Sequence, residues 1–268
     1  MTLMVFPETP QEVAVACETA AQYGFRIEVI GHGTNLLAPD DGLEALVIKT
    51  TRMDWFECEN EKIRVGAGVP LAKVLRYAMD AQIVGAEFMA GIPGTVGGAV
   101  AMNAGTRDAS MQSVVRGVAV LDLAAPSRVY DVGASEAGFR YRGSTLLDSR
   151  LAILEAQLVL GDDEDPEVRE RVEQTLARRK RSQPIGLRSA GSVFKNPPQA
   201  AAGYLIEQVG LKGTRRGGAG FSSVHANFIV NYGGASARDV MHLIHEARQR
   251  VNERFGVVLE TEIKILVE

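Results

Sequence analysis

Between Gly91 and Gly105 the chain runs Gly91-Ile92-Pro93-Gly94-Thr95-Val96-Gly97-Gly98-Ala99-Val100-Ala101-Met102-Asn103-Ala104-Gly105, with five glycines and no charge. Glycines and small residues offer a core little side-chain volume, but they let another backbone or a flat ligand approach closely. Two arrangements suit such a run. One is a glycine-rich barrel corner; the other is a main chain laid along a planar, polyphosphorylated ligand to which it presents N–H donors.

A second glycine-punctuated loop lies about sixty residues upstream, Gly31-His32-Gly33-Thr34-Asn35-Leu36-Leu37. It follows an alternating stretch, Phe25 to Ile30, that reads as a strand, and the whole of Gly31 to Pro39 reads as loop. No helical pattern follows, so it is not a Rossmann fingerprint, and no Gly-Lys-Ser/Thr makes it a Walker loop. Glycines beside Thr34 and Asn35 allow N–H groups to converge on an anion; an ordinary tight turn explains the same residues equally well.

The remaining chain alternates between helical and strand periods, which predicts an α+β fold. Thr9-Pro10-Gln11-Glu12 opens a helix that Gly24 ends. A second helix starts at Pro70 with Leu71, Val74, Leu75, Ala78 and Met79 on one face, a core stripe. Val114 to Leu123 and Arg150 to Leu160 read as strands, and Asp165-Pro166 opens a charged helix to about Ser182, its basic end Arg178-Arg179-Lys180-Arg181 suiting the helix dipole. Gln183-Pro184 breaks that helix and marks a hinge. Beyond it come a helix near Ala200 to Val209, a strand near Asn227 to Asn231, and a helix from Ser236 to Gly256 with Val240, Leu243, Ile244, Ala247 and Val251 inward. The chain closes on an alternating strand, with Leu259, Thr261, Ile263, Ile265 and Val267 on one face and Glu260, Glu262 and Lys264 on the other.

Composition narrows the function. A net charge of −4 gives no electrostatic reason to expect nucleic acid as a partner. Cys17 and Cys58 have no ligand pattern around them and make neither a disulfide framework nor a zinc site, so no metal is expected. No apolar stretch is long enough to span a bilayer and no leader pattern opens the chain, which leaves the cytoplasm as the expected location and no membrane as partner.

The two glycine segments, in this order and spacing, resemble the FAD-binding region of the vanillyl-alcohol-oxidase (PCMH) type, and within it the enolpyruvoylglucosamine reductase (MurB) family. The resemblance continues through Phe139-Arg140-Tyr141-Arg142, Ser189-Ala190-Gly191-Ser192-Val193-Phe194-Lys195-Asn196-Pro197, His225-Ala226-Asn227-Phe228-Ile229-Val230-Asn231 and Leu259-Glu260-Thr261-Glu262-Ile263-Lys264. It implies an FAD-binding region of two lobes, 1–57 (with 259–268) and 58–184, followed by an α+β substrate-binding domain, 185–258. It also implies noncovalent FAD, NADPH as hydride donor, UDP-N-acetylenolpyruvoylglucosamine as substrate, and a monomer of the shorter type without an inserted tyrosine-bearing loop. The chain departs from the family pattern at Thr34, where serine is usual, and at Thr106-Arg107-Asp108, where an aromatic-glycine turn is common. It departs again at Arg188, where proline is frequent, and before the first helix, where Met1 to Pro7 stands in place of a Thr-Thr-Phe-x-(Ile/Val)-Gly-Gly turn.

Carried over residue by residue, the resemblance gives Gly31, His32, Gly33, Thr34, Asn35, Leu36, Gly91, Ile92, Pro93, Gly94, Thr95, Gly97, Gly98, Asn103, Ala104 and Gly105 to the cofactor. It gives Tyr141, Lys195, Asn196, His225 and Asn227 to the substrate, and Arg142, Ser192 and Glu262 to catalysis. The implied reaction sends a hydride to the terminal carbon of an enolpyruvyl ether and leaves negative charge on the α-carbon and its carboxylate. An arginine fork meets that charge, a buried glutamate stays protonated as a donor, and a serine hydroxyl, with Lys195 to acidify it, protonates the carbon. Two other readings compete: an FAD oxidoreductase of the same fold acting on a small alcohol or sugar, and an inactive flavin- or nucleotide-sugar-binding paralogue.

Overall fold

The structure, a computed structural model, describes residues 2–59, 62–161 and 165–266. Val267 of the expected closing strand lies outside them. The chain forms two compact units: Met1–Gly33 with Glu44–Leu176, and Thr34–Leu43 with Ala177–Glu268.

The first unit opens on a three-stranded parallel sheet in the order Leu3–Val5, Ala45–Lys49, Arg26–Ile30. The helix Pro10–Tyr23 places Val13, Cys17 and Ala20 inward, and Val13 and Cys17 share a core with Ile48 and Met53. Thr9 caps it by accepting the Glu12 N–H, while the Glu12 carboxylate reaches back past the cap to the Glu8 N–H at 2.7 Å. Gly24 closes the helix at φ 70°. Burial pushes the Cys17 thiol up to about 11, with the neighbouring Glu18 adding to it. Ala45 to Ile48 are buried in succession, and a central strand covered on both faces shows no alternation to read.

A five-stranded antiparallel sheet follows, in the order Phe56–Glu59, Lys62–Gly66, Leu151–Val159, Val115–Asp122, Val129–Gly133. The two long strands match the expected runs. The paired strands Phe56–Glu59 and Lys62–Gly66 and the edge strand Val129–Gly133 were not expected, each being only four or five residues long. The helix Leu71–Asp80 buries Leu71, Val74, Leu75 and Ala78 in this unit's main core. Glu155, 8 % exposed, accepts a two-pronged bond from Arg64 and one from the Trp55 indole, so its buried charge is fully met.

The helix Val168–Ser182 ends on Arg179, Lys180 and Arg181, which complement its C-terminal dipole. The second unit holds an antiparallel sheet in the order Arg188–Ser192, Phe228–Asn231, Ala219–Phe221, Arg215–Arg216. The helices Ala202–Gln208 and Ala237–Phe255 pack in its core. Ser236 and Asp239 form a reciprocal capping box at the start of the second helix, and Gly256 stops it at φ 65°. Asp40 adds its carboxylate at the N-terminus of that helix, accepting the Ala237 and Arg238 N–H groups at 2.6 and 3.2 Å.

Residues 259–266 are not one strand. Thr261 bridges Phe194, then the chain changes partner, and Lys264–Ile265 pairs in parallel with Leu36–Leu37. The loop expected from Gly31 to Pro39 therefore contains a two-residue strand. Among the described residues no helix is long and apolar enough to cross a membrane.

Candidate active site

In the first unit, Arg140 and Gly143 exchange main-chain bonds at 2.9 and 3.2 Å, so Tyr141 and Arg142 form a two-residue turn. Arg142 sits at φ 55°, a left-handed conformation that costs a side-chain-bearing residue about 1–2 kcal/mol. Its guanidinium lies 5.3 Å from the centre of the Tyr141 ring. The turn borders a cleft of about 230 Å³ whose lining includes Asn103, Arg107, Arg140, Tyr141 and Arg142. Asn103 is 4 % exposed and turned into the protein: its amide donates to the Arg140 carbonyl and accepts from the Gln112 N–H, each at 3.0 Å. The amide that the resemblance gives to the cofactor thus bonds to the chain itself.

The glycine-rich run is not loop throughout. Thr95 caps a short helix, Val96–Ala101, which two glycines of low helix propensity conceal in the sequence; Thr95 after Pro93-Gly94 was the available signal. Main-chain bonds from Val96 and Gly97 to Val69 and Ala67 lay this helix start along the preceding strand end. Gly97 has no room for a side chain, since a Cβ there would meet the Ala67 Cβ at 2.8 Å. Gly31 is tighter still, because a Cβ would stand 2.2 Å from the Thr95 hydroxyl. The two glycine segments of this unit therefore meet at Gly31 and Thr95, and Gly91 and Gly98 are left exposed as bare backbone. Such a surface fits a flat cofactor laid on the main chain. Gly31→Ala is expected to destabilise the protein by about 1–3 kcal/mol through this clash and to lower its retained flavin. Chemical denaturation and the flavin-to-protein absorbance ratio test this, and an unshifted midpoint would mean the contact is looser than described.

Ser192 and Glu262 belong to the second unit. Ser192 ends the strand Arg188–Ser192 and pairs with Phe228 after a register shift, with Gly191 at φ 82° just before it. The Glu262 N–H donates to the carbonyl of Val193, next to Ser192, at 2.8 Å, and the Asn35 amide donates to the Glu262 carbonyl at 3.1 Å. The backbones carrying Ser192, Glu262 and Asn35 are thus joined. Lys195 bonds Glu260 twice, its N–H to the carbonyl at 2.9 Å and its ammonium to the carboxylate.

The other polar residues expected at the substrate hold the chain. Asn227, 3 % exposed, clamps Phe194: its amide oxygen accepts the Phe194 N–H at 3.0 Å and its nitrogen donates to the Phe194 carbonyl at 2.8 Å. His225 accepts the Asn227 N–H on Nδ1 at 3.2 Å and packs edge-on against Phe228. Burial, ahead of the Lys212 charge, pushes the imidazole below its ordinary value and favours the neutral form. Asn196 accepts the Ala202 N–H at the start of the next helix. A polar residue inside the apolar run from Ala226 to Val230 was the one sequence signal for the Asn227 clamp.

Known proteins place this arrangement. The family pattern described as "UDP-N-acetylenolpyruvoylglucosamine reductase, C-terminal domain" matches residues 183–266, and "FAD binding domain" matches residues 1–126. The chain is 40% identical over 267 residues to the UDP-N-acetylenolpyruvoylglucosamine reductase of Caldicellulosiruptor saccharolyticus, covering 99% of this chain and 86% of that one. It is 42% identical over 263 residues to the enzyme of the same name from Moorella thermoacetica, covering 98% and 86%. The crystal structure of UDP-N-acetylenolpyruvylglucosamine reductase (MurB) from Thermus caldophilus matches with a TM-score of 0.83 at 36% identity, covering 98% of this chain and 91% of that one. With both patterns in chain order and relatives this similar along nearly the whole length, the chain belongs to the UDP-N-acetylenolpyruvoylglucosamine reductase family of FAD-dependent oxidoreductases.

Proposed function

We propose that the chain converts UDP-N-acetylenolpyruvoylglucosamine to UDP-N-acetylmuramate for peptidoglycan synthesis, as a cytoplasmic monomer that draws its electrons from NADPH. The observation that carries this reading is the 40% identity to a reductase of that name over 99% of the chain. FAD, when bound, relays a hydride from NADPH to the enolpyruvyl double bond. The cofactor is held along Gly31–Leu36 and Gly91–Gly105, with the Asn103 side chain excepted. Residues 1–57 with 259–268, and 58–184, serve as cofactor lobes and 185–258 as the substrate domain.

The chain's own residues handle charge and proton. Arg142 offers guanidinium donors to the substrate carboxylate, where negative charge grows as the hydride arrives. Glu262, half-buried, acts as the second group at that carboxylate and must be protonated there, since a bare carboxylate would repel it. The Ser192 hydroxyl gives its proton to the α-carbon. Tyr141, exposed beside Arg142, contacts the substrate. Lys195, Asn196, His225 and Asn227 shape the segment that presents Ser192.

Purified protein is expected to carry about one FAD per chain, to lose its flavin absorbance under anaerobic NADPH, and to regain it on adding the enolpyruvyl substrate. An alcohol- or sugar-oxidising relative would be bleached by its alcohol and recoloured by oxygen. An inactive paralogue would show no bleaching and recolouring cycle. Either result would defeat the reading.

A further inference from the structure

We propose that Asn103 is a positioning residue for Arg142: it locks the strained turn that aims the guanidinium, and it does not act on the cofactor through its side chain. The inference rests on the reading of Arg142 as the group that meets the substrate carboxylate. Residues held in the left-handed region persist only where the surroundings over-determine them. Arg142 at φ 55° is such a residue. The flanks restrain it. The Arg140 carbonyl accepts two bonds, from the Gly143 N–H inside the turn and from the Asn103 amide outside it. On the other flank, fully buried Ser144 donates its hydroxyl to the Ala101 carbonyl at 2.7 Å. Both ties run to the end of the helix Val96–Ala101, so the turn is fastened on each side to one element.

Asn103 is itself at φ 44°, a conformation that asparagine tolerates better than most residues. Its amide oxygen, on the Gln112 N–H, fixes it from a third direction. Without the amide donor, the Arg140 carbonyl loses its outer partner. The turn can then relax so that Arg142 leaves the left-handed region, and its guanidinium leaves the place where charge develops.

Asn103→Gly is the variant of choice, because glycine keeps the positive φ and removes only the amide. In FAD-loaded protein we expect retained flavin stoichiometry and reoxidation by the enolpyruvyl substrate slowed about 10- to 100-fold, the range of a coupled pair in contact. Substrate binding to the oxidised protein, read from the flavin band, should weaken in parallel with Arg142→Ala. Added to Arg142→Ala, the same substitution should change reoxidation by less than about twofold, because its target is already gone. Flavin lost from folded Asn103→Gly, or effects that multiply independently in the double variant, would overturn the proposal while leaving the Arg142 reading intact. Unimpaired reoxidation in Arg142→Ala alone would defeat both. Should Asn103→Gly fail to fold, Asn103→Asp makes the same comparison, since it keeps the acceptor for Gln112 and loses the donor to Arg140.

Discussion

Ser192→Ala is expected to separate the two halves of the reaction. Bleaching of the flavin by NADPH requires no proton on the substrate α-carbon and should proceed at a near-normal rate. Recolouring by the enolpyruvyl substrate requires that proton as the α-carbon charge collapses. Loss of a positioned general acid costs roughly 10²–10⁴-fold, about 3–5 kcal/mol of barrier. The substitution is conservative for the fold: Ser192 ends its strand, and the neighbouring bonds run through main-chain groups of Val193 and Glu262 that alanine leaves in place. Rapid-mixing absorbance reads both halves in one instrument. Equal slowing of both would indicate a damaged cofactor site, and unimpaired recolouring would show that the proton comes from another group.

The largest effect on stability is expected from Asn227→Ala. The amide makes two bonds to the Phe194 main chain inside a fully packed core. Alanine leaves a buried N–H and a buried carbonyl without those partners, each worth about 1–3 kcal/mol, so a loss of roughly 2–6 kcal/mol follows. The choice of probe matters. Trp55, the chain's one tryptophan, lies in the first unit, so its fluorescence reports on the wrong region. Amide exchange at Phe194 and Val193 should accelerate strongly, while exchange in the strand Leu151–Val159 stays as it was. Unchanged protection at Phe194 would mean that another group carries the clamp.

What the sequence disclosed follows the range of the interactions. Helix ends were legible because their partners lie within four residues: Thr9 and Glu12, Ser236 and Asp239, the glycines at 24 and 256. The strand Ala45–Lys49 was not, because burial on both faces erases alternation. The helix Val96–Ala101 was hidden by its glycines, and the closing stretch misread as one strand because its change of partner depends on residues near 36 and 194. The site divides the same way. Residue types at 142, 192 and 262 could be matched to a family pattern. The direction of an asparagine amide could not, since Asn103 and Asn227 find their partners 37 and 33 residues away.

The pairing of Leu36–Leu37 with Lys264–Ile265 has a consequence for how the protein is made. At ordinary translation rates roughly 10–50 s separate the emergence of these segments from the ribosome. The Thr34–Leu43 segment leaves the ribosome early but cannot make its strand pairing until residues 264–265 have followed. Glu44–Leu176 is complete well before that, so the first unit can fold during synthesis while a tether of about ten residues beside it waits. The second unit cannot close until residues 264–265 have emerged. Until then two adjacent leucines and an unpaired strand edge depend on the nascent chain's surroundings, and this interval is where a chaperone would find them.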